Sequence, residues 1–170
     1  MIKLDIGSLP DGVSHVDLTA EASELGVSLE SARLESPVEV KLDIDRRGDE
    51  IFLKGRASVK AVLECARCLE EYCYVLESPV ELLCMIGGEP GEVGGCEDRE
   101  NVIEARGGTK YVDLADHVRS ELLVLIPLKP LCQESCKGLC PMCGTNLNIS
   151  ACTCDTKSDD SRWDALKKLK

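Results

Sequence analysis

Between Leu131 and Cys154 the chain reads L-C-Q-E-S-C-K-G-L-C-P-M-C-G-T-N-L-N-I-S-A-C-T-C, six cysteines spaced C-x3-C-x3-C-x2-C-x8-C-x-C. A second group, L-E-C-A-R-C-L-E-E, places Cys65 and Cys68 far upstream. So short a segment with so few large apolar side chains cannot build a core of its own, so sulfur must organise it. A metal, a disulfide net and redox chemistry are the three options. The opening residues, M-I-K-L-D-I-G-S-L-P-D-G, hold no basic stretch followed by an apolar run, so no signal peptide is expected. No segment approaches the roughly 18 apolar residues of a membrane span. The expected compartment is a reducing cytoplasm, where 11 cysteines argue for metal over disulfides.

Zinc takes four ligands in a tetrahedron, and thiolates suit it. A C-x2-C turn brings two sulfurs to one ion. C-P-M-C-G, from Cys140 to Gly144, is a strong form of that knuckle. Pro141 stiffens it, and Gly144 permits the turn that aims backbone N–H groups at sulfur. C-A-R-C at Cys65 and Cys68 is a second knuckle, less diagnostic alone, and C-T-C at Cys152 and Cys154 can supply two more ligands. With Cys132 and Cys136 these make four pairs, enough for about two structural zinc ions. In one partition Cys140, Cys143, Cys152 and Cys154 close locally. Cys65 and Cys68 then join Cys132 and Cys136 across a long loop, where a crosslink restricts the unfolded chain most. The rival partition joins Cys132 and Cys136 to Cys140 and Cys143. The first is preferred because it gives the upstream pair a function.

The plainer reading is a set of buried or disulfide-bonded cysteines. A redox reading of C-A-R-C wants the pair at a helix N-terminus, whereas this one lies between two predicted strands. Four thiolates leave no open coordination position, and the chain carries no nucleophile motif, phosphate loop or dinucleotide fingerprint. The expectation is a protein that is not an enzyme. His117 reads as a solvated or capping residue, Cys73 and Cys84 as small strand residues, and Cys96 as a free thiol.

The fold class read from periodicity is α+β. Val38, Val40, Leu42 and Ile44 alternate with charged residues, which predicts a strand. A turn around Gly48 leads into a long strand from Ile51 to Cys65, with Cys68 in the turn beyond it. Tyr72 to Met85 returns as a third strand, broken or bulged at Pro79. These form an antiparallel sheet, with barrel-like closure as an option. D-L-T-A-E-A-S-E-L-G predicts a short helix ending at Gly26, and V-I-E-A-R-G-G-T-K-Y-V a hairpin turning at Gly107 and Gly108. Asp113 opens and caps a helix with an apolar stripe of Leu114, Val118, Leu122 and Leu125, ended by Pro127 and packed on the sheet. Residues 87–101, with five glycines and five acids, read as an exposed mobile loop, and D-S-R-W-D-A-L-K-K-L-K as a basic terminal helix. The expected organisation is a sheet-plus-helix domain over 1–130 and a Cys-rich zinc module over 131–170.

Charge narrows the partners. Residues 1–130 carry 26 acids and 14 bases, and residues 131–170 carry 5 acids and 6 bases. An acidic body repels phosphate backbones and suits a basic protein, although such charge also serves solubility alone. Aromatic residues make up 3% of the chain, too few for a platform that stacks single-stranded bases.

L-E-C-A-R-C-L-E-E, the segment V-D-L-A-D-H-V-R-S-E-L-L-V-L-I-P-L-K-P-L-C, C-K-G-L-C-P-M-C-G-T-N-L-N with C-T-C, and the closing D-S-R-W-D-A-L-K-K-L-K together resemble the YceD family of large-subunit ribosomal RNA accumulation proteins. The similarity is densest from Val112 onward. It implies a bacterial or plastid ribosome-biogenesis factor with no enzymatic activity. The implied partner is a basic ribosomal protein or the pre-ribosomal large subunit. Direct rRNA binding, through the tail and Lys167, Lys168 and Lys170, is the alternative, and a C-x-x-C redox or zinc-handling protein is a third class. Family members that keep the first C-x-x-C and lack C-P-M-C-G and C-T-C imply that Cys65 and Cys68 share a site with Cys132 and Cys136.

Overall fold

A computed structural model describes residues 2–26, 32–87 and 101–154. The predicted acidic loop falls largely, and Cys96 and the terminal helix entirely, outside these residues.

Strict alternation produces the central sheet. β4 (Val38–Arg47) buries Val38, Val40, Leu42 and Ile44, and β5 (Glu50–Glu64) buries Ile51, Leu53, Ala57, Val59, Ala61 and Leu63. The turn at Gly48 sets them antiparallel, with Ile44 opposite Leu53. β6 (Glu71–Ile86) returns along the whole of β5, from Glu64 opposite Glu71 to Glu50 opposite Met85. Its register runs unbroken through Pro79, which sits opposite Arg56, so the expected break or bulge does not form. Beyond β6 the next strand, β7 (Val102–Ala105), pairs only with Leu83 to Ile86. Near Pro79 the outer side of β6 is therefore an edge among the described residues, where a missing N–H costs no ladder hydrogen bond.

β2 (Gly12–Ala20) lies outside β4, and the short β3 (Ala32–Leu34) continues the line of β4 along the far end of β5. The sheet order is β2-β4-β5-β6-β7, and its end strands do not pair with each other, so it does not close as a barrel. β2 absorbs the first four residues of the predicted first helix. Val16, Leu18 and Ala20 alternate with Asp17 and Thr19 and pair with β4, while only Ala22–Leu25 form a 3-10 turn. Gly26 ends that turn in the left-handed region at φ 62°.

The predicted hairpin at Gly107 and Gly108 is also corrected. The turn exists, closed by the Thr109 N–H on the Arg106 carbonyl at 3.0 Å. Its arms part, however: β7 runs parallel to β6, and β8 (Tyr111–Asp113) pairs antiparallel with β1 (Lys3–Asp5). A glycine turn reverses the chain without choosing the partner, and Ile2, Leu4 and Ile6 supply a buried surface nearer to Val112 and Leu114. α1 (Ala115–Val124) follows, with Asp113 Oδ1 accepting the Ala115 N–H at 3.0 Å. Leu114, Val118 and Leu122 are buried between helix and sheet, whereas Leu125 is past the helix and exposed. The result is a sheet-dominated α+β body. Among the described residues no helix is long and apolar enough to cross a membrane.

Candidate metal centre

Two turns with the same backbone geometry present the diagnostic cysteines. At the end of β5 the Leu69 N–H bonds the Cys65 carbonyl at 2.9 Å, and the Cys65 N–H bonds the Glu70 carbonyl at 2.9 Å. In the tail the Gly144 N–H bonds the Cys140 carbonyl at 2.9 Å, and the Cys140 N–H bonds the Thr145 carbonyl at 2.8 Å. Each turn brings two sulfurs to one side and puts the residue after its second cysteine in the left-handed region, Leu69 at φ 59° and Gly144 at φ 72°.

The tail then docks on the first turn. Ala66 N–H bonds the Pro130 carbonyl, and Leu139 N–H bonds the Arg67 carbonyl. The Arg67 guanidinium donates to the carbonyls of Cys136 at 2.7 Å and Glu134 at 3.3 Å. Gly138, at φ 76°, lies against Arg67 so closely that a Cβ there would stand 2.9 Å from the Arg67 carbonyl oxygen. Neither Arg67 nor Gly138 was singled out from sequence. Both act on partners more than 60 residues away in sequence, Arg67 through its guanidinium and its carbonyl and Gly138 through its lack of a side chain.

Docking assembles two groups of four sulfurs, Cys65 with Cys68, Cys132 and Cys136, and Cys140 with Cys143, Cys152 and Cys154. Within each group the sulfurs lie within 4.8 Å of one another. Cys132 and Cys136 thus stand with the strand-end pair and not with Cys140 and Cys143. Cys65 Sγ is 3.8 Å from Cys136 Sγ, and Cys68 Sγ is 3.7 Å from Cys132 Sγ, far too long for disulfides. A metal bonded to four sulfurs at about 2.3 Å sets them about 3.8 Å apart in a tetrahedron, so the donors fit a thiolate-bound dication. The first turn leads from strand to strand and not into a helix, unlike a thioredoxin-type C-x-x-C.

The two groups differ in setting. Cys65, Cys68 and Cys136 are buried among Tyr72, Leu131 and Leu139. In the second group only Cys140 is buried, and Cys143 is exposed beside an open depression lined by Lys137, Asn148, Ile149, Cys152 and Cys154. Burial pushes the Cys65 thiol up, but backbone N–H groups of Cys132, Cys68 and Arg67 outweigh it and hold the pKa at about 6. Burial, and then contact with Cys68 and Cys136, push Cys132 up to about 12. The pattern repeats in the second group: the Thr145 hydroxyl and N–H hold Cys143 at about 6, and contact with Cys143 followed by burial pushes Cys154 up to about 12. One sulfur ionises readily, and its charge makes a neighbour resist. A bound dication would offset the charge on all four.

A family model described as "Large ribosomal RNA subunit accumulation protein YceD" matches residues 53–170, the span that contains all eight cysteines. The chain belongs to the YceD family. It is similar to the YCED homolog 1 large ribosomal RNA subunit accumulation proteins of chloroplasts. Identity is 31% with that of Zea mays, covering 92% of this chain and 62% of the relative, and 25% with that of Arabidopsis thaliana, covering 99% and 59%. The chain thus spans about three fifths of the length of these plant YceD proteins. It is also 27% identical to the uncharacterized protein YlbN of Bacillus subtilis, covering 95% of this chain and 90% of that one. No solved structure matches it.

Proposed function

We propose that this YceD-family chain supports accumulation of the large ribosomal RNA subunit as a non-enzymatic scaffold for a basic ribosomal protein, with one zinc ion in each cysteine group holding the tail in place. Family membership supports the ribosomal role. Zinc is favoured by two sets of four soft sulfur donors at tetrahedral spacing. The zinc is structural, since it closes the tail and leaves no position for a substrate.

The observation that carries the partner class is the state of the body's cations. They are outnumbered 26 to 14 in residues 1–130, and many are engaged within the fold. Lys54 pairs with Glu81, Arg56 with Glu77, Arg47 with Asp45, Arg119 with Asp116, Arg46 with Asp11 and Arg33 with Glu71. These six cations already face carboxylates of the same body, which weakens their pull on a phosphate backbone. Glu39, Asp49, Glu50, Glu64 and Glu70 meanwhile face solvent, a field that steers a cationic protein inward.

Tagged full-length chain should be recovered from cells at moderate salt with and without RNase, and its metal counted by elemental analysis. The expected result is about two zinc ions per chain and a basic ribosomal protein that survives RNase. If rRNA is retained and RNase removes everything else, direct RNA binding replaces the scaffold reading.

A further inference from the structure

Asn148 lies in the stretch between Cys143 and Cys152, inside the loop that the second cysteine group closes, yet its side chain serves the first group. Its Nδ2 donates to Cys136 Sγ at 3.3 Å and to Asn146 Oδ1 at 2.9 Å. Its Oδ1 accepts the Lys137 N–H at 2.8 Å. The orientation of the carboxamide is forced: a backbone N–H only donates, so the oxygen must face Lys137 and the NH2 must face sulfur.

The local fold explains how the group gets there. Residues 137–140 and 145–148 run side by side, with Leu147 N–H on the Gly138 carbonyl, Cys140 N–H on the Thr145 carbonyl and a bridge between Leu139 and Asn146. Cys136 stands at the foot of this ribbon, and the Cys140–Cys143 knuckle forms its tip. Beyond Asn148, the N–H groups of Ile149 and Ser150 both reach the Asn146 carbonyl at 3.1 Å and turn the chain toward Cys152. Both ends of the loop that carries Asn148 are therefore anchored by sulfurs of the second group.

We propose that Asn148 couples the two sites: metal held by Cys140, Cys143, Cys152 and Cys154 fixes the loop that presents the carboxamide, and the carboxamide secures Cys136 as a ligand of the metal held by Cys65, Cys68, Cys132 and Cys136. This rests on the zinc reading above. An N–H donated to a metal-bound thiolate orients the ligand and spreads its negative charge, and losing such a partner costs about 10- to 100-fold in metal affinity. The coupling is reciprocal, so metal at the first site also favours metal at the second. The less buried second site then acts as a latch on the buried one.

A mutant cycle on the full chain, titrated with zinc under a chelator buffer, tests this. Asn148→Ala should lower zinc affinity about 10- to 100-fold when the second site is intact. In a chain carrying Cys143→Ser and Cys154→Ser, where the second site cannot form, the same change should have no further effect. Equal losses in both backgrounds, or none in either, overturn the coupling. So does an Asn148→Ala chain that cannot take up two ions at saturating zinc, because the carboxamide would then belong to the tail's own folding. Cobalt substitution gives a second readout: removing the N–H should move the first site's thiolate-to-cobalt charge-transfer band to lower energy, and an unmoved band overturns the assignment. Wild-type chain that binds no metal overturns the zinc reading and this one with it. Two ions bound without the cycle's asymmetry overturn the coupling alone.

Discussion

The two cysteine turns are alike in backbone and unlike in consequence. The first sits where β5 gives way to β6, and its partners Cys132 and Cys136 come from 64 and 71 residues away. The second draws all four sulfurs from residues 140–154 and is partly open to solvent, with Cys143 exposed and Cys152 and Cys154 half-buried. A crosslink over a long loop removes more freedom from the unfolded chain than one over a short loop, by about 0.6 kcal/mol per doubling of length, and burial keeps water and competing ligands away. The first site therefore joins the tail to the body, and the second shapes the tail itself. The same four-sulfur chemistry performs two jobs because the fold places it differently.

The largest test of this contrast is to remove both metals. The body has its own continuous core, from Ile2, Leu4 and Ile6 through β4, β5 and β6 to Val118 and Leu122. The tail's described residues add few buried side chains beyond sulfur and depend on the metals. Stripping the protein with a strong chelator should leave amide exchange in β4, β5 and β6 slow and make it fast throughout residues 131–154. Slow exchange in the metal-free tail would show that the tail does not need its ions.

Cysteine substitution separates the sites. Cys68→Ser and Cys143→Ser should each reduce the stoichiometry from two ions toward one, yet only Cys68→Ser should release the tail from the body. Limited proteolysis reads the difference: cleavage near Pro130 should accelerate in Cys68→Ser and stay slow in Cys143→Ser. Equal cleavage in the two would erase the distinction between joining and shaping. A smaller effect is expected of Gly138→Ala, which forces a side chain into a left-handed position against the Arg67 carbonyl. Strain of about 1–3 kcal/mol is expected, seen as a lower unfolding midpoint of the tail at unchanged metal content.

The parts legible in the sequence are those set by short-range pattern. Period-two alternation gave away β4, β5 and β6, and the C-x2-C spacings marked both turns. What escaped depends on partners far away in sequence. β2 hid under a short helix-like stretch because its alternation of Val16, Leu18 and Ala20 is brief and only β4 makes it a strand. β7 and β8 flank a genuine turn, but their pairing is decided by β6 and β1. Arg67, Gly138 and Asn148 lie inside the quoted segments, but no spacing rule marks what they do. Asn148 could have been suspected from the N-L-N that follows the second knuckle, since a carboxamide close to thiolates in a loop this short has few other donors to compete with.

The smallest expected effect concerns the residue that follows the second cysteine of each turn. Both need a left-handed residue after the second cysteine, and the second turn uses Gly144 while the first uses Leu69. A leucine pays about 1–2 kcal/mol for that conformation. Leu69 is 58% exposed, so little burial would be lost with its side chain. Glycine would relieve the strain but would also gain freedom in the unfolded chain, which offsets about 0.5–1 kcal/mol. Leu69→Gly should therefore stabilise the zinc-loaded protein by about 0–1.5 kcal/mol, the difference between those terms. Gly144→Leu should destabilise the tail, because it imports the strain without any compensating contact. Denaturant midpoints of the two variants, measured at equal metal content, make the comparison. If Leu69→Gly is less stable than the parent, the exposed leucine packs against something that ordering of the chain supplies, and the first turn is not simply a strained copy of the second.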